Sequence, residues 1–262
     1  MKEIEKNWNS FWAKVIGIKF YGTLENAEAT ARFQVEHVID ALKLTKEDKA
    51  LDIACGAGFH VLALVERGIK AVGIDISQTL ISFANENAKR KGLHAKFLVM
   101  DMRKIGEKFD TEFDAAIILN QSFGFFDDKG NLSVLKGIHR SLKKGGKFYI
   151  QSLNPLFNGG WKNYIGWDEK DDGYLLVNAK YNPYTGRVEG GDLYITKEGE
   201  IIREKADAKI KTRSFRVYTL PEYIKLLEEA NLKLEKVYGS QRRPLGEFTV
   251  DSPDMIIVGR KE

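Results

Sequence analysis

Between Lys49 and Ile150, short apolar runs alternate with stretches of helical periodicity, and this alternation constrains the fold more than any other feature of the chain. Ala50–Ala54, Ala71–Ile74, Phe97–Val99, Ala115–Leu119 and Phe148–Ile150 read as buried strands. Between them, His60–Arg67 runs to a helix stop at Gly68, and Thr79–Lys91 follows Ser77 and ends at Gly92. In Asn131–Leu142, the residues Leu132, Leu135, Ile138 and Leu142 share one helical face ahead of Gly145-Gly146. Strand–helix–strand alternation with short connections predicts a parallel sheet with helices on both faces, a doubly wound α/β fold. Ligands of such sheets sit beyond the carboxyl ends of the strands.

After Ile150 the pattern changes. Leu175–Tyr181, Val188–Thr196 and Ile201–Tyr218 are strand-like, separated by the turn signals Asn182-Pro183-Tyr184-Thr185-Gly186 and Lys197-Glu198-Gly199-Glu200. They predict an antiparallel meander inserted into the α/β unit. That unit then resumes with a capping box, Thr219-Leu220-Pro221-Glu222, a helix to about Ala230, and strands over Lys233–Tyr238 and Met255–Arg260. Residues 1–48 read as mostly helical, with Trp8, Phe11, Trp12, Phe20 and Tyr21 close together. The expected division is an N-terminal helical lid over 1–48, a ligand-binding domain over 49–154 and 219–262, and an inserted antiparallel cap over 155–218.

Composition narrows the class. Of 262 residues 43% are hydrophobic, enough for a folded core. The single cysteine, Cys55, excludes an intramolecular disulfide framework and a Cys-rich zinc site. His37, His94 and His139 have no metal-ligand spacing, so no metal is expected. No apolar run approaches the roughly 20 residues that span a bilayer. The start, Met1-Lys2-Glu3-Ile4-Glu5-Lys6, alternates in charge and lacks a signal-peptide core. The expectation is a soluble, cytoplasmic protein with no membrane partner. A net charge of +4 over this length does not argue for nucleic acid.

The chemistry is concentrated at strand ends. Asp52-Ile53-Ala54-Cys55-Gly56-Ala57-Gly58 carries a strand into a turn that opens a helix. Gly56 and Gly58 allow a sharp turn and close approach of a ligand. The dinucleotide fingerprint would need a third glycine where Val61 stands, and no Lys-Ser/Thr pair follows to make a P-loop. A cofactor without phosphates remains. Asp75, at the end of the next strand, can accept both hydroxyls of a ribose; its alternative role as a helix-start acid is weakened because Ser77 supplies the cap. Asp101, just past the third strand, can accept from an exocyclic adenine amine. The fourth strand runs into the amide-rich aromatic loop Asn120-Gln121-Ser122-Phe123-Gly124-Phe125-Phe126.

These elements, in this order, resemble the class I S-adenosylmethionine-dependent methyltransferases. The small-molecule-type branch is also resembled, through the Cys55-Gly56-Ala57-Gly58 turn with His60, the Ser122–Phe126 loop, Gly145-Gly146, the Arg213–Thr219 segment and Asp251-Ser252-Pro253. The resemblance implies a seven-stranded, mostly parallel sheet in the order 3-2-1-4-5-7-6 with the seventh strand antiparallel. It implies S-adenosyl-L-methionine as cofactor, with Ala54–Gly58 lining its methionine and ribose. Asp75 would take the ribose hydroxyls, with Ile76 against the adenine and Asp101 and Met102 at the adenine edge. Asn120 would lie near the sulfonium, and Asp52 would orient the turn or reach the amino group through water. Ala54 departs from the glycine many members carry; its small size predicts only a slight displacement of the methionine moiety. Tyr21 falls in the region the family uses as a lid. Arg32 is a candidate partner for the cofactor carboxylate, with a surface salt bridge as the alternative.

The leading function is methyl transfer to a small-molecule acceptor by in-line displacement. RNA or protein methylation, and cofactor binding without catalysis, are the alternatives. The acceptor would lie between the lid, the Asn120–Phe126 loop and the cap, with Gln121 and Phe123 facing it. Arg213 and Arg216 are an odd number apart, so at most one can face the pocket, and Arg213 is the favoured one.

Overall fold

The computed structural model describes residues 24–157, 163–170, 172–203, 213–241 and 245–262. Strands β1 Lys49–Ile53, β2 Lys70–Asp75, β3 Lys96–Val99, β4 Phe113–Ile118 and β5 Leu142–Leu153 follow the expected apolar runs and pair in parallel in the order β3-β2-β1-β4-β5. The helices are α1 Leu24–Leu42, α2 Phe59–Glu66, α3 Gln78–Lys91, the short α4 Ile105–Lys108, α5 Asp128–Ser141 and α6 Leu220–Glu229. β5 starts earlier than the apolar run suggests. Gly145 at φ 74° and a register shift opposite Phe113 and Ala115 let the chain pass from α5 into the sheet through an irregular stretch.

The insert is a second sheet. β6 Asn163–Lys170, β7 Gly173–Asn182, β8 Arg187–Thr196, β9 Ile201–Arg203 and β10 Arg213–Arg216 are arranged β10-β8-β7-β6, with β9 also paired to β8. β6 was not predicted, because its residues are exposed on both faces and give no period-2 alternation. Within the stretch read as one strand, Ile201–Tyr218, the described residues form β9 and β10, both paired antiparallel with β8. The chain returns to the main sheet as β11 Leu232–Ser240, β12 Gly246–Glu247 and β13 Asp254–Lys261. The full order is β12-β11-β13-β5-β4-β1-β2-β3, with β13 antiparallel to both neighbours. This is the expected order extended by one two-residue edge strand.

Alternation along each strand divides the core into two layers. Leu51, Ile53, Ala116, Ile118, Phe148, Ile150, Met255 and Ile257 face α5 and α6. Ala50, Ala115, Ile117, Tyr149, Ile256 and Val258 face α1, α2 and α3. Each fully buried Ile, Leu or Phe contributes about 1.5–3 kcal/mol, so a sheet covered on both faces is the stable arrangement. Val35, Val38 and Leu42 place α1 within the second layer. Leu24–Leu42 is therefore part of the α/β core rather than a cover over the site. The aromatic residues expected to form the lid, Tyr21 among them, lie outside the described residues. No helix among the described residues is long and apolar enough to cross a membrane.

Among the described residues, the cap is tied to the loop after β4 and to the start of α6. Arg187 of β8 donates to the carbonyls of Phe126 at 3.0 Å and Phe125 at 3.3 Å. The Arg216 amide donates to the Gly124 carbonyl at 2.7 Å, and the Arg216 guanidinium pairs with Glu222 at the start of α6. Gly124, at φ 103°, is required there, since a Cβ would stand 2.1 Å from the Arg216 carbonyl oxygen. The loop after β4 is thereby held by the insert.

Candidate active site at the carboxyl edge

β1 passes to α2 through Ala54–Gly58, where Ala54, Gly56 and Gly58 take φ values of 58°, 54° and 78°. For glycine this conformation carries little strain. An alanine there is disfavoured by roughly 1–2 kcal/mol, because Cβ crowds the following carbonyl. The departure at Ala54 thus acts on the backbone, which its small size did not predict. Ala54→Gly is expected to stabilise the chain by up to about 1 kcal/mol, the relief of strain being partly offset by the looser unfolded state. A lowered urea midpoint at unchanged slope would contradict this. A Cβ on Gly58 would lie 2.6 Å from the Phe97 ring and 2.8 Å from the Ala84 Cβ. Gly58 therefore provides the close helix–strand packing that a dinucleotide turn takes from its third glycine. Cys55 is buried against Gly73, and burial pushes its thiol well up, which suits packing and not nucleophilic attack.

Asp75 ties this turn to β2. Its Oδ2 accepts from the Gly56 amide at 2.9 Å and its Oδ1 from the Ser77 amide at 2.8 Å. Each oxygen keeps a second lone pair for a further donor. Burial raises the Asp75 carboxyl, and the backbone amides of Ser77, Gly56 and Ile76 oppose that. Ser77 caps α3, as expected, by accepting from the Leu80 amide at 3.3 Å. Ile76 is left half-exposed at the strand end.

Asp101 follows β3 and is held by Arg103, whose Nε lies 3.0 and 2.9 Å from its two oxygens. Burial alone would raise the Asp101 carboxyl, but the hydrogen bonds and charge of Arg103 outweigh it and hold it below the usual range. Arg103 in turn stacks over Phe126 at 4.4 Å. Met102, in a short 3-10 turn, packs against the core and stays half-buried.

Asp52 and His60 form a buried pair between β1 and α2, with Asp52 Oδ2 3.9 Å from His60 Nδ1 and no hydrogen-bond partner of its own. Burial and the nearby Asp75 charge raise Asp52, and burial lowers His60 to about 4. Burial thus disfavours charge on both members of the pair. From His60 a polar chain crosses the carboxyl edge. His60 Nε2 meets Gln34 Oε1 at 2.7 Å. The Gln34 amide donates to Asn120 Oδ1 at 2.8 Å and Gln241 Oε1 at 3.2 Å. Gln241 donates to Tyr149 OH at 3.3 Å and Gln151 Oε1 at 3.4 Å. Gln151 also accepts from the Asn120 amide at 3.0 Å. The chain ends on Asp254, whose Oδ2 takes Gln151 at 3.4 Å and whose Oδ1 takes Gln121 at 3.5 Å. Asn120 and Gln121 hold φ values of 52° and 55°, a strained pair immediately after β4.

Gln34, Tyr149, Gln151, Gln241 and Asp254 were not predicted. The signal for two of them was present. Gln151 directly follows the buried run Phe148–Ile150, the same placement that marked Asp75 and Asp101. An antiparallel last strand must begin at the carboxyl edge, which is where Asp254 stands.

The structure brings Asp52, Ala54, Gly56, Gly58, Asp75, Ile76, Asp101, Met102, Asn120 and Gln121 to this one edge. It places Arg32 and the Phe123 ring elsewhere. Arg32 pairs with Glu66 at 2.8 Å and with Glu28. Glu66 ends α2, roughly 10 Å along the helix from the glycine turn, so Arg32 occupies the surface ion pair named as its alternative. Phe123 is buried between Tyr218 and Tyr223, at 5.9 and 5.6 Å, and faces the core instead of an acceptor. The Arg213 side chain lies outside the described residues. Arg216, its counterpart, is spent on Glu222 and on the carbonyls of Gly186 and Val217. Among the described residues no group of three His, Cys, Asp or Glu side chains could hold a metal ion.

A family model described as a methyltransferase domain matches residues 50–146. The chain is 35% identical over 197 residues to the "Putative methyltransferase YqeM" of Bacillus subtilis (strain 168), covering 74% of this chain and 77% of that protein. It is 29% identical over 138 residues to the glycine/sarcosine N-methyltransferase of Aphanothece halophytica, an alignment spanning 52% of each, about half of either protein. Among solved structures, an S-adenosylmethionine-dependent methyltransferase from Clostridium acetobutylicum ATCC 824 superposes with a TM-score of 0.76 at 16% identity, over 92% of this chain and 96% of that one.

Proposed function

The chain belongs to the class I S-adenosylmethionine-dependent methyltransferases, and from that premise we propose that it methylates a small-molecule acceptor by in-line displacement at the carboxyl edge of β1, β4 and β5. S-adenosylmethionine, when bound, supplies the methyl group as an activated sulfonium substituent. The residues present suit that group. Asp52 Oδ2 is a buried polar atom without a partner, placed to orient the turn or to reach an ammonium through water. Asp75 retains free lone pairs for two ribose hydroxyls. The half-exposed Ile76 and Met102 offer apolar surface to a purine ring, and Asp101 offers its edge a carboxylate. Tyr21 remains the candidate lid residue.

The observation that carries the small-molecule reading is the insert fastened onto the loop after β4, which places a second sheet beside the edge where the acceptor must lie. The glycine/sarcosine relative named above acts on small acceptors, which supports it. An activated donor needs alignment and exclusion of water more than it needs a dedicated base. Calorimetry should show binding of S-adenosylmethionine and S-adenosylhomocysteine. Turnover should occur with members of a small-metabolite panel and not with bulk tRNA or unfolded protein, and chelator should leave it unchanged. Turnover confined to tRNA or protein, or a requirement for Mg²⁺ or Zn²⁺, would overturn the proposal. Donor binding with no turnover on either panel would favour a binding protein without catalysis.

A further inference from the structure

Asp254 is a carboxylate at this edge that none of the cofactor roles takes up. It begins β13, opposite Leu153 at the end of β5, and is half-buried, so a ligand can reach it. Its polar partners are neutral amides, Gln121 and Gln151, at 3.5 and 3.4 Å. An ionised carboxylate offers about four lone-pair sites, and two long amide bonds leave most of that capacity unmet. Among the described residues no Lys, Arg or His forms an ion pair with it. The polar chain also points one way. Along the path from Gln34 through Gln241 and Gln151, each amide donates toward Asp254, so the chain delivers donors there and calls for negative charge. Gln121 is held at φ 55°, next to Asn120 at 52°.

We propose that Asp254, oriented by Gln121 and Gln151, anchors the methyl acceptor, and that the acceptor is a primary or secondary amine. An ammonium meets a half-buried carboxylate with strong charge-assisted hydrogen bonds that an alcohol, phenol or carboxylic acid cannot match. In the transfer step, the bound ammonium first yields a proton to the Asp254 carboxylate, which passes it to solvent. The lone pair of the neutral amine then forms the new N–C bond while the pair of the breaking C–S bond stays on sulfur, and the methylated product leaves as an ammonium. Burial raises the Asp254 carboxyl, the direction that suits a proton acceptor.

This inference rests on the methyltransferase reading of the same edge, and its test separates the two. Protein saturated with S-adenosylhomocysteine is titrated calorimetrically with isosteric pairs: benzylamine and benzyl alcohol, ethanolamine and ethylene glycol, cyclohexylamine and cyclohexanol. The amine of at least one pair should bind tenfold or more tighter than its alcohol. Asp254→Asn should remove that preference while S-adenosylhomocysteine affinity stays within twofold. Turnover of amines should fall at least about 30-fold in the variant, the scale of losing one partner of a desolvated charge pair, with partial recovery in Asp254→Glu. Asp254→Ser serves the same arm if Asp254→Asn does not fold. Equal binding of amines and alcohols, no binding of any amine, an unchanged preference in the variant, or turnover of alcohols, phenols or carboxylic acids but not amines would each overturn the proposal. Failure to bind S-adenosylhomocysteine would instead sink the reading on which it rests.

Discussion

Asp75→Ala is expected to lower affinity for S-adenosylmethionine and S-adenosylhomocysteine by about a hundredfold or more. The proposed ribose contacts are two charge-assisted hydrogen bonds of roughly 1.5–3 kcal/mol each, and about 3 kcal/mol is already more than two decades in affinity. The structure adds a second loss. The Gly56 and Ser77 amides both donate to this carboxylate, so removing it also frees the turn. Asp75→Asn keeps one acceptor oxygen and should fall between parent and alanine variant. Calorimetry showing parental affinity in Asp75→Ala would remove Asp75 from the cofactor site.

The second large effect is a pH dependence centred on His60. Burial lowers its folded-state value to about 4, whereas in the unfolded chain it titrates near 6.5. Between these values the unfolded chain binds a proton that the folded one refuses, so stability rises with pH across that window. As pH falls from about 6.5 to about 4 the parent should lose roughly 3 kcal/mol from this residue, and nothing further below. His60→Gln can preserve the contact with Gln34 and does not titrate. Urea midpoints of parent and variant should diverge between pH 7 and pH 4.5, the parent dropping faster. Parallel curves would show that His60 takes up its proton in the folded state.

The strands of the parallel half were legible because each is an apolar run, and the acids Asp75 and Asp101 sit where those runs stop, while the sheet order came from the family resemblance. The glycine turn was legible for the same reason. Gln34 was not, because it lies on a helix whose other buried residues, Val35, Val38 and Leu42, give an ordinary amphipathic stripe. An amide within such a stripe has no signature until its partners, His60 and Asn120, arrive from distant positions in the chain. Phe123 misled in the opposite way. An aromatic in a loop at the ligand edge suggests a pocket wall, yet Tyr218 and Tyr223 enclose it from segments that sequence alone does not place nearby. Arg32 was ambiguous on residue type, and Glu66 decided it through the packing of α1 on α2.

The one-way chain from His60 to Asp254 has a consequence for how the two halves of the site sense each other. Gln34 has one carbonyl and one amino group, and both are committed: the oxygen to His60, the nitrogen to Asn120 and Gln241. Turning that amide over would set donor against donor at one end and acceptor against acceptor at the other. Gln34 thus behaves as a rotary latch with a single comfortable setting. A ligand that changed the protonation of His60 would press on the latch, and the hydrogen bonds lead from there to Gln241, Gln151 and Asp254. By linkage such influence is mutual: whatever a ligand at the His60 end does for the affinity of one at the Asp254 end, the second returns by the same factor.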